Sequence, residues 1–132
     1  MSAKILIDTS VWIDYFQKAT PALSAKLDEI LSDGNIYVPK VVIAELIQGA
    51  NSEKEIEVIK DFIEAFNVID HKEDAWLEAG KLAYRMKKKG KTVNLTDCYI
   101  AVMAKDQGCR VLTLDKHFKE IQKEYGIILE QL

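Results

Sequence analysis

Short apolar runs that lack polar–apolar alternation, each followed by an amphipathic stretch, limit what this chain can fold into. Residues 4–7, 36–38, 68–69 and 110–114 read as strands buried on both faces. A further short strand is expected at 127–129. Between them lie helices with recognisable ends. One occupies 11–16, with Thr9 or Ser10 as cap. The next follows Thr20-Pro21, with Leu23, Leu27, Ile30 and Leu31 at helical spacing, and stops at Asp33-Gly34. Pro39 suits the first residue of a third, which ends at Gly49. Ser52 and Glu55 form a capping box for a fourth, running to about 66 with Ile56, Ile59, Ile63 and Phe66 inward. A long helix over 72–89 carries Trp76, Leu77, Leu82, Ala83 and Met86 and ends at Gly90; Trp76 and Tyr84 are read as core residues. Asn94 or Thr96 caps the next, closed by Gly108, and the last covers 116–124. Strands alternating with helices predict an α/β fold, a three-layer α/β/α sandwich with a central, mainly parallel sheet and right-handed crossovers. No linker or repeat divides it, so a single domain over 1–132 is expected.

Composition narrows the function. Apolar residues make up 48% and charged residues 30%, as in globular soluble proteins. No apolar run approaches the roughly 20 residues of a membrane span. The N-terminus enters the first strand directly, leaving no room for a signal peptide. Cys98 and Cys109 have no metal-binding spacing and read as reduced core thiols, so a cytoplasmic location is expected. A net charge of −3 excludes nucleic-acid binding by bulk electrostatics. It leaves room for a nucleic-acid enzyme whose acidic site is neutralised by metal.

Four acids stand in apolar settings. Asp8 follows the first strand and Asp115 the fourth; in a parallel sheet both emerge on one edge. Glu45 is the only charge in 41–47, and Asp97 lies in the first turn of its helix. Each has a structural alternative. Asp8 and Asp115 can cap helices, and Asp97 can complement a helix dipole. Glu45 is the hardest to dismiss, since a lone Glu is seldom buried without a partner. Like charges about 4 Å apart repel by roughly 4 kcal/mol at an effective dielectric near 20. A cluster of them must therefore bind protons or a cation. Oxygen ligands suit Mg²⁺ or Mn²⁺, with Thr9, Ser10, Thr96 and Thr113 as flanking hydroxyl donors. Phosphodiester hydrolysis is the chemistry such an ion supports.

With their neighbours, these acids resemble the PIN-domain ribonucleases, and more narrowly the VapC-type toxins. The matching segments are Ile7-Asp8-Thr9-Ser10-Val11-Trp12-Ile13-Asp14-Tyr15-Phe16, Val42-Ile43-Ala44-Glu45-Leu46 with Gly49, Asn94-Leu95-Thr96-Asp97-Cys98-Tyr99-Ile100-Ala101, and Val111-Leu112-Thr113-Leu114-Asp115-Lys116-His117-Phe118. The resemblance implies a metal-dependent endoribonuclease in which Asp8, Glu45, Asp97 and Asp115 surround Mg²⁺ or Mn²⁺. It also implies a structured RNA substrate such as tRNA, a homodimer, and a cognate antitoxin whose tail covers the site. Many relatives carry a further acid two residues after the last one, where this chain has His117. His117 reads as a partly exposed helix residue without a metal role; a phosphate contact or general acid is the alternative.

The only basic run, Arg85, Lys87, Lys88, Lys89 and Lys91, precedes Asp97. It is either a solvated helix end or a landing strip for phosphates, with Lys88, Lys89 and Lys91 as contacts. Asp14 reads as a local hydrogen-bonding residue. The apolar residues of 22–31 face either the core or a partner chain. Three rival functions remain. A phosphotransfer receiver would use Asp70 as acceptor but lacks the acid pair after the first strand, and Glu130 stands where a Lys is needed. An aspartyl phosphatase wants an Asp where Ser10 stands. A PIN fold can also serve as a catalytically silent binding module.

Overall fold

The computed structural model describes residues 3–70 and 73–131. His71, to which the sequence assigns no role, and Lys72, the expected helix start, lie outside the described residues. The elements run β1 (Lys4–Ile7), α1 (Thr9–Gln17), α2 (Pro21–Asp33), β2 (Asn35–Pro39), α3 (Lys40–Gln48) and α4 (Glu53–Ile63). They continue with β3 (Asn67–Ile69), α5 (Ala75–Lys88), α6 (Leu95–Gln107), β4 (Arg110–Leu112) and α7 (His117–Tyr125). The sheet order is β3-β2-β1-β4 with every pair parallel.

This order fixes the layers. The chain steps from β1 to β2 to β3 in one direction, then returns across the sheet to β4. Right-handed crossovers place α1 to α4 on one face and α5 and α6 on the other. The helix contacts agree, since α1, α2, α3 and α4 pack among themselves and α5, α6 and α7 do likewise. Leu6, Ile7, Val38, Val111 and Leu112 are sealed between the layers. α6 is buried from Cys98 to Ala104 and runs through the core of its layer. Cys98 and Cys109 are buried and unbridged, and burial pushes both thiols up to about 11. They are inert core groups, as expected. No helix among the described residues is long and apolar enough to cross a membrane.

Several boundaries differ from expectation for local reasons. The cap of α1 is Asp8 rather than Thr9 or Ser10, because the Asp8 carboxylate accepts from two free backbone amides of the first turn. Pro39 closes β2 and sits at the N-cap of α3, its φ of −66° and ψ of 144° still extended. α4 stops at Ile63, and Phe66 turns back onto Trp12 and Phe62, with ring centroids 5.9 and 5.5 Å away. β4 ends at Leu112, since Thr113 leaves the ladder for the site described below. Residues 127–129 reach only an isolated parallel bridge, Val111 with Leu129. Two hydrogen bonds of 2.8 Å, Val111 N to Ile128 O and Glu130 N to Val111 O, make that edge.

The largest correction concerns α5. Ala75, Ala79, Leu82 and Met86 face inward, while Trp76 and Tyr84 are 43% and 58% exposed rather than in the core. Two alanines on the inner face bring α5 close to α6, which turns its bulky residues outward. The open question about α2 is settled for Leu23 and Leu27, which are buried.

Candidate active site

β1 and β4 lie side by side, but the chain leaves β1 toward one side and reaches β4 from the other. The crevice at their carboxyl ends is the topological switch point, where open α/β sheets form their sites. Asp8 follows β1 there, and Thr113 to Asp115 follow β4. The Asp8 amide donates to Leu112 O at 3.0 Å and draws the two strand ends together.

Asp8 is only 3% exposed and is held by four donors. Its Oδ1 accepts from Ser10 N at 2.8 Å, Ser10 Oγ at 2.5 Å and Val11 N at 3.4 Å. Its Oδ2 accepts from Thr113 Oγ1 at 2.5 Å. Each hydroxyl in turn accepts a backbone amide of the loop after β4. Leu114 N donates to Ser10 Oγ at 3.0 Å, and Asp115 N donates to Thr113 Oγ1 at 2.9 Å. Two short relays thus tie Asp8 to the loop bearing Asp115. Burial nevertheless raises the Asp8 carboxyl above the usual carboxylate range, against the pull of these donors.

The other acids come from separate elements. Glu45, half-buried on α3, accepts from Thr9 Oγ1 at 2.7 Å, so α1 orients it. Asn94 caps α6 by accepting from Thr96 N at 2.7 Å and so sets the first turn that carries Asp97. Asp97 hydrogen-bonds Asp115, an arrangement that requires a proton between the two carboxyls. Asp97 is pushed up to about 7, first by burial, then by that hydrogen bond, then by the negative charge of Asp115, Asp8 and Glu45. The four acids therefore share one electrostatic site.

They do not share it equally. The tight group is Asp97, Asp115 and His117, whose ligand atoms lie within 4.8 Å of one another. Asp115 Oδ1 accepts from His117 N at 2.9 Å and faces His117 Nδ1 at 3.1 Å. His117, read from sequence as a bystander, is drawn into the cluster because Asp115 caps the turn that starts α7. The spacing of that Asp and His was the available signal. Sequence reasoning also missed the Leu114 and Asp115 amides, since backbone donors leave no mark in side-chain identity.

The basic run is only partly free. Lys89 Nζ lies 2.5 Å from Glu124, Arg85 lies 3.6 Å from the same carboxylate, and Lys91 pairs with Glu120. Lys88 Nζ stands 5.9 Å from the centre of the Tyr84 ring. Asp70, the receiver reading's acceptor, ends β3 at the sheet edge, with Lys40 Nζ 3.5 Å away. A receiver-type order would set β3 beside β1; here β2 intervenes, and the receiver reading falls.

A model of the PIN domain matches residues 5–124. The chain belongs to the PIN-domain family. Among curated PIN-family relatives, Ribonuclease VapC1 of Methanocaldococcus jannaschii is 31% identical over 125 residues, covering 95% of this chain and 85% of the relative. Ribonuclease VapC11 of Mycobacterium tuberculosis is 30% identical over 126 residues, covering 90% and 92%. These two matches place this PIN domain among the VapC ribonucleases. Among solved structures, VapBC2 from Rickettsia felis, bound to a promoter DNA fragment, matches with a TM-score of 0.78 at 20% identity. That alignment covers 98% of both chains and shows the fold. DNA-bound VapBC from Salmonella typhimurium matches with a TM-score of 0.77 at 25% identity, covering 97% of each.

Proposed function

We propose that the chain is a divalent-metal-dependent endoribonuclease and the toxin of a toxin–antitoxin pair, acting in the cytoplasm as a single PIN domain. The convergence of Asp8, Glu45, Asp97 and Asp115 on the β1–β4 switch point carries this reading. The names of its relatives, ribonucleases and VapBC complexes, supply the substrate class and the partner.

The residues fit a metal. Asp97 and Asp115 hold a proton between them for want of a countercharge, and a cation takes the place of such a proton. Carboxylate oxygens dominate the donor set, which suits Mg²⁺ or Mn²⁺. Asp8, Glu45, Asp97 and Asp115 would hold the ion, with His117 at the rim. When bound, it would lower the pKa of a water and offset charge gathering on phosphorus. The chain's own residues orient and exclude. Thr9 aims Glu45, Ser10 and Thr113 fix Asp8, and the Leu114 and Asp115 amides hold the hydroxyls that do so. The exposed Thr96, Lys88, Lys89 and Lys91 region borders the approach to Asp97 and supports contact with RNA phosphates.

The test is to express the protein and its Asp8→Asn variant and map new RNA 5′-phosphate ends in both. Discrete ends confined to the unaltered protein are expected, with at least about 100-fold fewer in the variant, since even outer partners of a metal site cost that order. Identical maps from two folded proteins would overturn the nuclease reading and bring forward the silent binding module.

The antitoxin has a fitting surface on the other layer. A groove of about 730 Å³ runs between α1, α2 and α4, lined by Phe16, Pro21, Ala25, Val58 and Phe62. Tyr15 braces its rim by donating to Asp28 at 2.6 Å, and Val58 is 55% exposed. An apolar helix of the antitoxin suits this groove. Val58→Asp should weaken antitoxin binding by at least about 30-fold, the effect of burying an unpaired charge worth about 2 kcal/mol. RNA cleavage should be unchanged. Titration of unaltered and Val58→Asp protein with antitoxin checks this; equal affinities would remove the groove from the reading.

A further inference from the structure

The outward face of α5 is apolar and serves no purpose within the described fold. Trp76, Leu77 and Tyr84 are 43%, 60% and 58% exposed. Trp76, Gly80 and Tyr84 stand at helical positions i, i+4 and i+8 and form one line, with Leu77 beside it. Trp76 is also held in place, because one face of its indole stacks on Tyr99 with ring centroids 3.8 Å apart and planes 15° from parallel. Its outer face is presented in a fixed orientation, which lowers the entropic cost of docking on it.

Gly80 sits at the middle of this line. A Cβ built there meets no atom within 4 Å, so no packing inside the chain calls for a glycine. Glycine in a helix interior is destabilising relative to alanine. A bare backbone at the centre of an exposed apolar line permits a second helix to approach closely.

The charges along the same line identify the occupant. Glu73 lies one turn before Trp76, and Lys87 lies three residues beyond Tyr84. Two copies of α5 crossing antiparallel about Gly80 set Trp76 of one against Tyr84 of the other. The same two-fold axis sets Glu73 against Lys87, twice over. A parallel crossing would stack Glu73 on Glu73 and Lys87 on Lys87. We propose that the Trp76–Gly80–Tyr84 line of α5 is the docking face for a second copy of this chain, whose own α5 crosses it antiparallel about Gly80. The interface is isologous, so the pairing closes as a dimer and does not propagate.

Sedimentation equilibrium over a range of protein concentrations tests it, and RNA cleavage does not enter the readout. Failure here is therefore distinct from failure of the nuclease reading. The unaltered chain should dimerise without antitoxin. Gly80→Arg should be monomeric and folded by circular dichroism, since Arg is the better helix former. Glu73→Lys and Lys87→Glu should each weaken the dimer about tenfold at low salt, and the double swap should restore it. A chain that is monomeric throughout, a Gly80→Arg dimer as tight as the unaltered one, or a double swap that restores nothing would overturn the proposal. So would α5 variants that lose antitoxin binding while dimerising normally, which would hand this face to the antitoxin.

Discussion

Asp97→Asn is expected to lower RNA cleavage by at least about 100-fold and, in the same protein, to raise the melting temperature of the metal-free form at pH 8. The first effect follows from removing a carboxylate at the centre of the cluster. The second has the opposite sign because the wild-type group is held against its own chemistry. Asp97 is pushed up to about 7 by burial, by its hydrogen bond with Asp115 and by the charges of Asp115, Asp8 and Glu45. At pH 8 it must ionise among them. Asn has the shape of the protonated carboxyl and can donate to Asp115 without that penalty. The variant also gives up a favourable first-turn charge on α6, worth about 0.3–1 kcal/mol. The relief is on the order of 2 kcal/mol or more, since each tenfold change in proton affinity is worth about 1.4 kcal/mol, so the gain wins. A rise of about 5 °C or more is the scale for a domain of this size. Melting curves in chelator, alongside cleavage assays with added Mn²⁺, check both halves. An inactive variant with a lowered melting temperature would mean that Asp97 is structural.

The same residues show what was legible in the sequence. Unbroken apolar runs located the β-strands, because a strand covered on both faces has no polar face to display. The parallel order could be anticipated, and with it the meeting of Asp8 and Asp115 on one edge. Helix faces were less legible. The run of apolar residues on α5 does not say which ones point inward, and the small residues Ala75 and Ala79 take the inner face in place of Trp76 and Tyr84. A pattern of hydrophobicity records that a face will be covered, not whether the same chain covers it. The grading within the acid site was also hidden. Asp8 reads alike as a cap and as a ligand, and the structure has it capping α1 and facing the cluster together. The capping and functional explanations of that Asp were never exclusive. A carboxylate at a strand end starts the next helix because of its position, and the same position brings it to the switch point.

Raising the pH from 5 to 8 should lower the stability of the metal-free protein, and saturating Mg²⁺ or Mn²⁺ should cancel the loss. An unfolded Asp ionises near its ordinary value of 3.8, whereas folded Asp97 keeps its proton up to about 7. Between those values the folded state binds the proton that the unfolded state has released. Stability therefore falls as pH rises through this window and levels off above it. Burial raises Asp8 as well, and so adds a contribution of the same sign. The fall is on the order of 2 kcal/mol between pH 5 and 8, which in melting temperature is again about 5 °C or more. A cation replaces the shared proton and prefers the ionised cluster. At about 100 times its dissociation constant it would return about 2.7 kcal/mol, enough to offset the loss. Thermal melts across this pH range, in chelator and in Mn²⁺, measure the effect, and Asp97→Asn should flatten the profile in chelator. A metal-free protein that grows more stable between pH 5 and 8 would mean that the acids repel too weakly to need a cation, and the metal site would go with them.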